Sequence, residues 1–221
     1  MKRIAITICA AAFLFACNTE DKKVADTKSE EAKVASVSTD TPSEKKAWVP
    51  VDSATAMKKM WEMGTPGAQH AMLAKSNGGW DAEMTMWMAE GSAAQVTKAA
   101  CTNKMIYDGR YQQSTFKGSF DKMPFEGTSI TGYDNSEKMF FSTWMDNMST
   151  GLMTMKGTWD EATKSINLKG KMVCPANGIE CEMREVYKIV DDNTHIMEMY
   201  GPDMKTGKEF KGMEIKFTRK R

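Results

Sequence analysis

Short segments in which apolar side chains recur at every second position follow one another along most of this 221-residue chain. The first follows Trp80, where Met84, Met86 and Met88 recur at every second position, and a period of two is typical of a β-strand. Turn-forming sequences such as Asp191-Asp192-Asn193 separate several of these segments. The predicted strands that follow are Gln95–Met105, Arg110–Phe120, Phe125–Tyr133, Met139–Met145, Leu152–Trp159, Ile166–Val173, Cys181–Val190, His195–Tyr200 and Phe210–Arg219.

No helical pattern lies between these segments, so neighbouring strands should be antiparallel and joined by hairpins. About ten strands in an open sheet would leave two unpaired edges, and closure of the sheet removes them. The sequence therefore predicts an all-β fold, an antiparallel up-and-down barrel of about ten strands, with a β-sandwich as the alternative. Glycines inside the strands suit the bends of a barrel wall; they are Gly118, Gly127, Gly157, Gly170 and Gly212.

Two short helices are predicted ahead of the strands. Asp52-Ser53 can cap the first, and Thr65-Pro66 begins a second that stops at Asn77-Gly78-Gly79. The apolar face of the first helix is formed by Met57, Met60 and Trp61. We expect its methionines, Met57, Met60 and Met63, to pack as core or as a barrel plug.

The N-terminus combines a basic start with an apolar run, Ile4–Phe15, that is shorter than the roughly 20 residues of a transmembrane helix. Leu14-Phe15-Ala16-Cys17 then places a small residue directly before a cysteine. This pattern resembles a bacterial lipoprotein signal, which implies removal of residues 1–16 and lipidation of Cys17. The resemblance also implies a location in the cell envelope, and Asn18 favours the outer membrane. The alternative is an ordinary secreted protein.

Residues 17–47 contain mostly Asp, Glu, Lys, Ser, Thr and Ala, and we expect them to form a disordered tether after the lipidated cysteine. Residues 48–221 then form a single β-barrel domain. Loss of Lys2 and Arg3 with the signal would change the formal charge from +1 to −1. Without a basic cluster, this balance argues against nucleic acid as a partner. The lipoprotein resemblance implies the membrane as a partner, and a small apolar ligand is a further hypothesis.

Three cysteines remain for the folded domain. Cys174 and Cys181 enclose a proline and an Asn-Gly turn, and the exported side of a membrane permits disulfides, so we expect them to be bridged. The alternative is two reduced, buried cysteines. Cys101 is expected to be a buried, inert thiol.

Gly78-Gly79-Trp80 opens the first strand after a short helix, and this is similar to the Gly-x-Trp motif of calycins, the lipocalins and their relatives. The resemblance implies that Trp80 packs at the closed end of the barrel. There it would contact a basic residue of the last strand, for which Arg219 is suitably placed.

A longer likeness runs from His70 to Arg219 and resembles the bacterial domain-of-unknown-function family 1579. This resemblance bears on the fold and leaves the chemistry open. The motifs that carry it are His70, Gly79-Trp80, Gly109-Arg110, Pro124-Phe125-Glu126-Gly127, Gly132-Tyr133-Asp134, Ser142-Thr143-Trp144-Met145-Asp146, Ser149-Thr150-Gly151, Gly157-Thr158-Trp159-Asp160 and Glu214-Ile215-Lys216-Phe217-Thr218-Arg219.

Four residues at family-like positions are candidates for binding a ligand at a pocket mouth: Arg110, Glu126, Trp144 and Asp146. Arg110 would bind a carboxylate or phosphate through both of its terminal nitrogens. The structural alternative is that these residues form arginine–carboxylate pairs and aromatic contacts that hold the barrel closed.

Methionine is unusually frequent, with 21 residues, and Met153/Met155 and Met197/Met199 each share one strand face. Three hypotheses remain open: an adaptable lining for an apolar ligand, a copper(I) site, or a methionine-rich core. His195 lies near the C-terminus and resembles the histidine that binds iron in nitrobindins, so haem is a further hypothesis. The alternative to a haem ligand is that His195 is a structural residue beside a turn. We expect the other histidine, His70, to pack where the helix meets the barrel.

No nucleophile triad, paired-carboxylate site or zinc motif occurs in the sequence. We therefore expect binding of a small, mostly apolar molecule rather than catalysis. The alternatives are an enzyme that uses Arg110, Glu126 and Asp146 on a barrel-bound ligand, and an interaction module without a ligand.

Overall fold

Ten antiparallel strands close into a barrel in the computed structural model, which describes residues 47–221. Within it, Pro50–Arg221 forms one unit. The predicted all-β barrel is therefore confirmed, and the β-sandwich alternative is wrong. The elements are α1 (Ser53–Gly64), α2 (Ala68–Ala74), β1 (Gly78–Met86), β2 (Gln95–Ile106), β3 (Tyr111–Phe120), β4 (Met123–Asp134), β5 (Met139–Asp146), β6 (Met153–Asp160), β7 (Ser165–Val173), β8 (Glu180–Asp191), β9 (Thr194–Pro202) and β10 (Glu209–Arg219).

The first and last strands close the barrel by pairing with each other. Trp80 lies opposite Arg219 at one end of this pair, and Met86 lies opposite Met213 at the other. All other pairings join strands that follow one another in the chain, as an up-and-down order requires. Every described strand therefore has two hydrogen-bonded neighbours, and none presents a free edge.

Glycines allow the wall to bend where strands approach closely. A Cβ at Gly157 in β6 would overlap the carbonyl oxygen of Asn167 in β7. A Cβ at Gly170 in β7 would in turn overlap the carbonyl oxygen of Thr154. Only a residue without a side chain fits these two positions.

Several sequence predictions fall outside the described residues. They are the signal peptide over 1–16, the lipidated Cys17 and the tether as far as residue 46. Among the residues that the structure does describe, no helix is both long and apolar enough to cross a membrane.

The first helix begins as predicted, but its apolar face is exposed. The Asp52 carboxylate accepts a hydrogen bond from the Thr55 N–H at 3.0 Å, and no residue of α1 is buried. Met60 and Trp61 are 63% and 68% exposed, so the prediction that this helix supplies core or plug residues is wrong. Asn135 of the barrel contacts the end of this helix, where its amide donates to the carbonyl oxygens of Met63 and Thr65.

The second helix takes the place that the first was expected to fill. His70 and Leu73 of α2 are buried at the end of the barrel where β1 begins. The Gly67 N–H donates to Nδ1 of His70 at 3.0 Å, and the His70 ring meets Tyr133 edge to face. His70 thus packs at the helix–barrel junction, as predicted.

The predicted bridge between Cys174 and Cys181 is not formed, and all three described cysteines are free thiols. The Cys174 N–H donates to the carbonyl oxygen of Ile179, whereas Cys181 lies opposite Met172. The two cysteines are therefore diagonal rather than directly opposed. Diagonal Cβ atoms lie about 7 Å apart, too far for a disulfide, which needs about 4 Å.

Candidate functional site

The interior of the barrel is hollow. A cavity of about 430 Å³ is lined by side chains from all ten strands and by Leu73 of α2. Its far end is reached by Phe120 and by Met148 of the β5–β6 loop. Met148 is 47% exposed and also lines the cavity, which places the mouth at the end opposite α2. We call this cavity the lumen.

Methionine side chains form much of the lumen wall, and the two pairs predicted to share strand faces, Met153/Met155 and Met197/Met199, both point inward. Met88 lies beyond the end of β1 and is 68% exposed. The inward-facing methionines border a cavity instead of filling a solid core. The lumen methionines are Met84, Met86, Met148, Met153, Met155, Met183, Met197, Met199 and Met213.

Polar lumen groups are concentrated on β3, β4 and β5. Ser129 Oγ lies 3.2 Å from Ser142 Oγ and 3.5 Å from Thr131 Oγ1. Towards α2, the Gln112 amide donates to the Leu73 carbonyl oxygen at 2.6 Å and to Ser76 Oγ at 2.7 Å. Strand order places this polar strip across the lumen from β8, β9 and β10.

Glu185 of β8 is the exception on that opposite wall. It lines the lumen between Met183 and Tyr187, and its cross-strand neighbours are Leu168 and Met199. Burial raises the pKa of the Glu185 carboxyl to about 7. No hydrogen bond or ion pair to this carboxyl occurs within residues 47–221, and the side chain keeps part of its surface accessible in the lumen.

Carboxylates on the outer face of the same region are paired. Arg184 donates to both carboxylate oxygens of Glu209, at 2.8 and 3.1 Å, and its guanidinium covers the Tyr200 ring. Glu198 lies 3.2 Å from the Lys188 ammonium. Glu185 is separated from these cations because alternation along β8 directs it into the barrel.

The closed end of the barrel contains the predicted contact between Trp80 and Arg219. Trp80 is fully buried, its indole N–H donates to the Ser76 carbonyl oxygen at 2.8 Å, and the Arg219 guanidinium carbon lies 4.3 Å from its ring centroid. The same guanidinium donates to the carbonyl oxygens of Lys75, Asn77 and Asp192. Arg219 therefore connects the end of β10 both to the segment between α2 and β1 and to the β8–β9 turn.

His195 belongs to this closed end and does not line the lumen. Its Nδ1 lies 2.7 Å from the Tyr187 hydroxyl, and its ring lies 4.5 Å from the Trp80 ring. Burial lowers the pKa of His195 to about 4. Because His195 does not line the lumen and its ring packs against Trp80, it does not fit the role of iron ligand to a haem in the lumen.

Thioether sulfurs border the lumen, but the described residues include no group of three His, Cys, Asp or Glu side chains that could hold a metal. Cys101 also lines the lumen, and burial raises the pKa of its thiol to about 12, so it stays protonated. The copper hypothesis stays a prediction that rests on methionine alone.

The structure brings together only two of the four predicted ligand-binding residues. Trp144 and Asp146 both line the lumen near its mouth, and the indole N–H donates to Asp146 Oδ2 at 2.7 Å. Arg110 lies in the β2–β3 turn at the α2 end, and Glu126 points outward to pair with Lys117. The four residues therefore do not share one pocket mouth, and ligand binding by Trp144 and Asp146 stays a prediction.

Sequence reasoning missed Glu185. The available signal was its phase, because Glu185 falls on the same strand face as Met183 and Tyr187. A carboxylate in phase with apolar residues on a predicted strand is directed inward if those residues are.

Residues 65–219 match the model of a family described as a protein of unknown function, DUF1579. The chain belongs to the DUF1579 family. The match begins after α1 and ends with β10, so the DUF1579 domain comprises α2 and the whole barrel. A search of curated proteins gave no significant match.

The raised pKa of Glu185 in this DUF1579 barrel predicts a stability cost that depends on pH. Well below pH 4.5 the carboxyl is neutral in both states, and well above pH 7 the folded protein must bury a charge that the unfolded chain exposes. We expect Glu185→Gln to gain stability relative to wild type across this interval, by up to roughly 3 kcal/mol. Urea unfolding at a series of pH values measures this difference.

Glu182→Gln, on the exposed face of β8, is the matched control and should show no such rise. Protonation of His195 and His70 destabilises all these proteins as the pH falls, because burial lowers the pKa of both rings. That contribution cancels in the comparison. If the difference in unfolding free energy between Glu185→Gln and wild type does not change with pH, the interpretation of Glu185 as a carboxyl without a partner in the lumen is contradicted.

Proposed function

We propose that this barrel binds a small, mostly apolar molecule in its lumen, at the bacterial envelope to which lipid on Cys17 attaches it. The observation that carries the binding proposal is the cavity of about 430 Å³ with its methionine-rich wall. Its volume falls within the usual range for small-molecule sites, about 300–1,000 Å³.

The chemistry of the lumen wall favours an apolar occupant. Thioethers are polarisable and flexible, so a wall with nine methionines can adapt to ligands of different shape. Aromatic rings add flat apolar surface, with Phe116 packed edge to face on Trp144 and on Phe217. Each Å² of apolar ligand surface removed from water contributes about 25 cal/mol.

A fixed mouth supports entry from the end opposite α2. Asp146 accepts hydrogen bonds from the N–H groups of Met148 and Ser149, which holds the start of the β5–β6 loop. The Trp144 ring lies across Gly127, where a Cβ would come within 2.5 Å of it. Trp144 thus forms a wall near the mouth without blocking the lumen.

The Trp80–Arg219 contact and the hollow barrel also support a calycin-like interpretation. We propose this relationship from the shared arrangement of a tryptophan on the first strand and a basic residue on the last. An alternative function as an enzyme is favoured by one observation, the pKa of Glu185 near neutrality, which suits proton transfer. Arg110 and Glu126 do not contribute to that alternative because they lie outside the lumen.

Filling part of the lumen with a larger side chain should weaken binding. We expect wild type to bind the neutral fluorophore N-phenyl-1-naphthylamine, and Ser129→Phe to weaken this binding by roughly tenfold or more, about 1.4 kcal/mol. Fluorescence titration measures the affinity, and circular dichroism checks the fold.

Thr128→Phe is the control, since Thr128 precedes Ser129 on β4 and does not line the lumen. Equal dye affinity in both variants, or no dye binding to wild type, would contradict a ligand site in the lumen.

Lipid attachment is tested separately at Cys17. In the bacterial host, Cys17→Ser should move the protein from the membrane fraction to the soluble envelope fraction, because a serine cannot form the thioether to the lipid. Mass spectrometry of the wild-type N-terminal peptide should show an acylated cysteine at position 17. Unchanged membrane fractionation of Cys17→Ser together with an unmodified cysteine in wild type would refute the anchor.

A further inference from the structure

The ionisable groups of the lumen wall carry charge of only one sign. Asp146, Glu185, Tyr187 and Cys101 line the lumen, whereas no Lys, Arg or His of the described residues does so. A bound molecule therefore meets carboxylates, thioethers, hydroxyls and aromatic rings. It meets no cation that could neutralise an acid group.

The two lumen carboxylates differ in the number of hydrogen bonds that they accept from the protein. Asp146 accepts three hydrogen bonds near the mouth, from the Trp144 indole at 2.7 Å and from the N–H groups of Met148 and Ser149 at 2.9 and 3.0 Å. Glu185, on the other side of the barrel, accepts none from the described residues. Asp146 is a structural group, and Glu185 is the one with unused bonding capacity.

The surroundings of Glu185 explain why the protein itself cannot satisfy it. Leu168 and Met199 flank it on β7 and β9. The Tyr187 hydroxyl, one alternation along β8, is already hydrogen-bonded to His195. The nearest cation in sequence, Arg184, faces outward and is bound to Glu209. An unpaired carboxyl in such a site costs free energy, and a ligand that supplies the missing partner recovers it.

We infer that the preferred ligand is a hydrophobic amine, whose protonated nitrogen pairs with the Glu185 carboxylate while its apolar body occupies the methionine-lined lumen. This inference rests on the proposed function and names the chemical class of its ligand. Aromatic faces and polarisable sulfurs tolerate a nearby cation. A hydrophobic carboxylate would find no counterion in the lumen and would face Glu185 itself.

The charge state of Glu185 makes recognition of an amine dependent on pH. Its carboxyl ionises around pH 7, so the affinity for an amine should increase from pH 5.5 to pH 8 as the carboxylate forms. The facing residues of β7 and β9 do not titrate, and neither do the hydroxyls across the lumen. Burial raises the pKa of Tyr187 and of Cys101, so both stay neutral in this interval. Asp146 is the remaining carboxyl of the wall.

Three ligands of equal chain length test the inference: decylamine, decanol and decanoate. The affinity of each ligand is measured by its displacement of N-phenyl-1-naphthylamine from the mature chain carrying Cys17→Ser. Each ligand is used below its own critical micelle concentration. At pH 8 we expect decylamine to bind roughly tenfold more tightly than decanol, and decanoate to bind least. Glu185→Gln should make decylamine and decanol nearly equal, whereas the outer-face control Glu182→Gln should keep the preference.

The wild-type protein alone provides a second test that does not depend on any variant. Its preference for decylamine over decanol should shrink towards unity at pH 5.5. Decanol binding without a preference for decylamine, or a preference that survives Glu185→Gln, overturns the inference and leaves the proposed function standing. Tightest binding of decanoate overturns it as well. If neither the fluorophore nor any of the three ligands binds, the proposed function fails together with the inference.

Discussion

The pairing of β1 with β10 separates the interior of this protein from solvent, and the rest of the structure depends on that closure. Trp80 and Arg219 secure it at one end, where the guanidinium covers the indole and binds three carbonyl oxygens. Without this pairing, two strands would have free edges and the inward-facing methionines would be exposed. At the opposite end the Lys211 ammonium lies 5.6 Å from the Trp87 ring centroid, and there Met148 both lines the lumen and is exposed.

Closure of the barrel also determines which side chains share one environment. Each inward position becomes part of one shared wall, so a single carboxylate among apolar neighbours has consequences that it would not have on an open sheet. Glu185 is expected to lower stability as its carboxyl ionises, since the lumen provides no partner for the charge. Proteins keep such costs where function uses them, and here the cost and the ligand site coincide in the lumen.

Local patterns were sufficient to predict the barrel and its strand positions, because alternation and turns are encoded over a few residues. The contact of Trp80 with Arg219 was implied by the resemblance to calycins. Local patterns could not show which side of the wall a strand residue faces, as for Glu126, or at which end of the barrel a turn residue lies, as for Arg110. An amphipathic helix likewise shows an apolar face without showing whether anything covers it, as α1 illustrates. Glu185 was overlooked because carboxylates on strands usually face water.

The ionisation of Glu185 tests the central claim that a closed, apolar lumen contains a carboxyl without a partner. The side-chain carboxyl carbon can be followed by ¹³C NMR across the pH range, with Glu185→Gln to assign its signal. The structure predicts a titration midpoint near pH 7. A midpoint near the ordinary glutamate value of 4.5 would show that water or a protein group already satisfies the carboxyl, and would contradict the account.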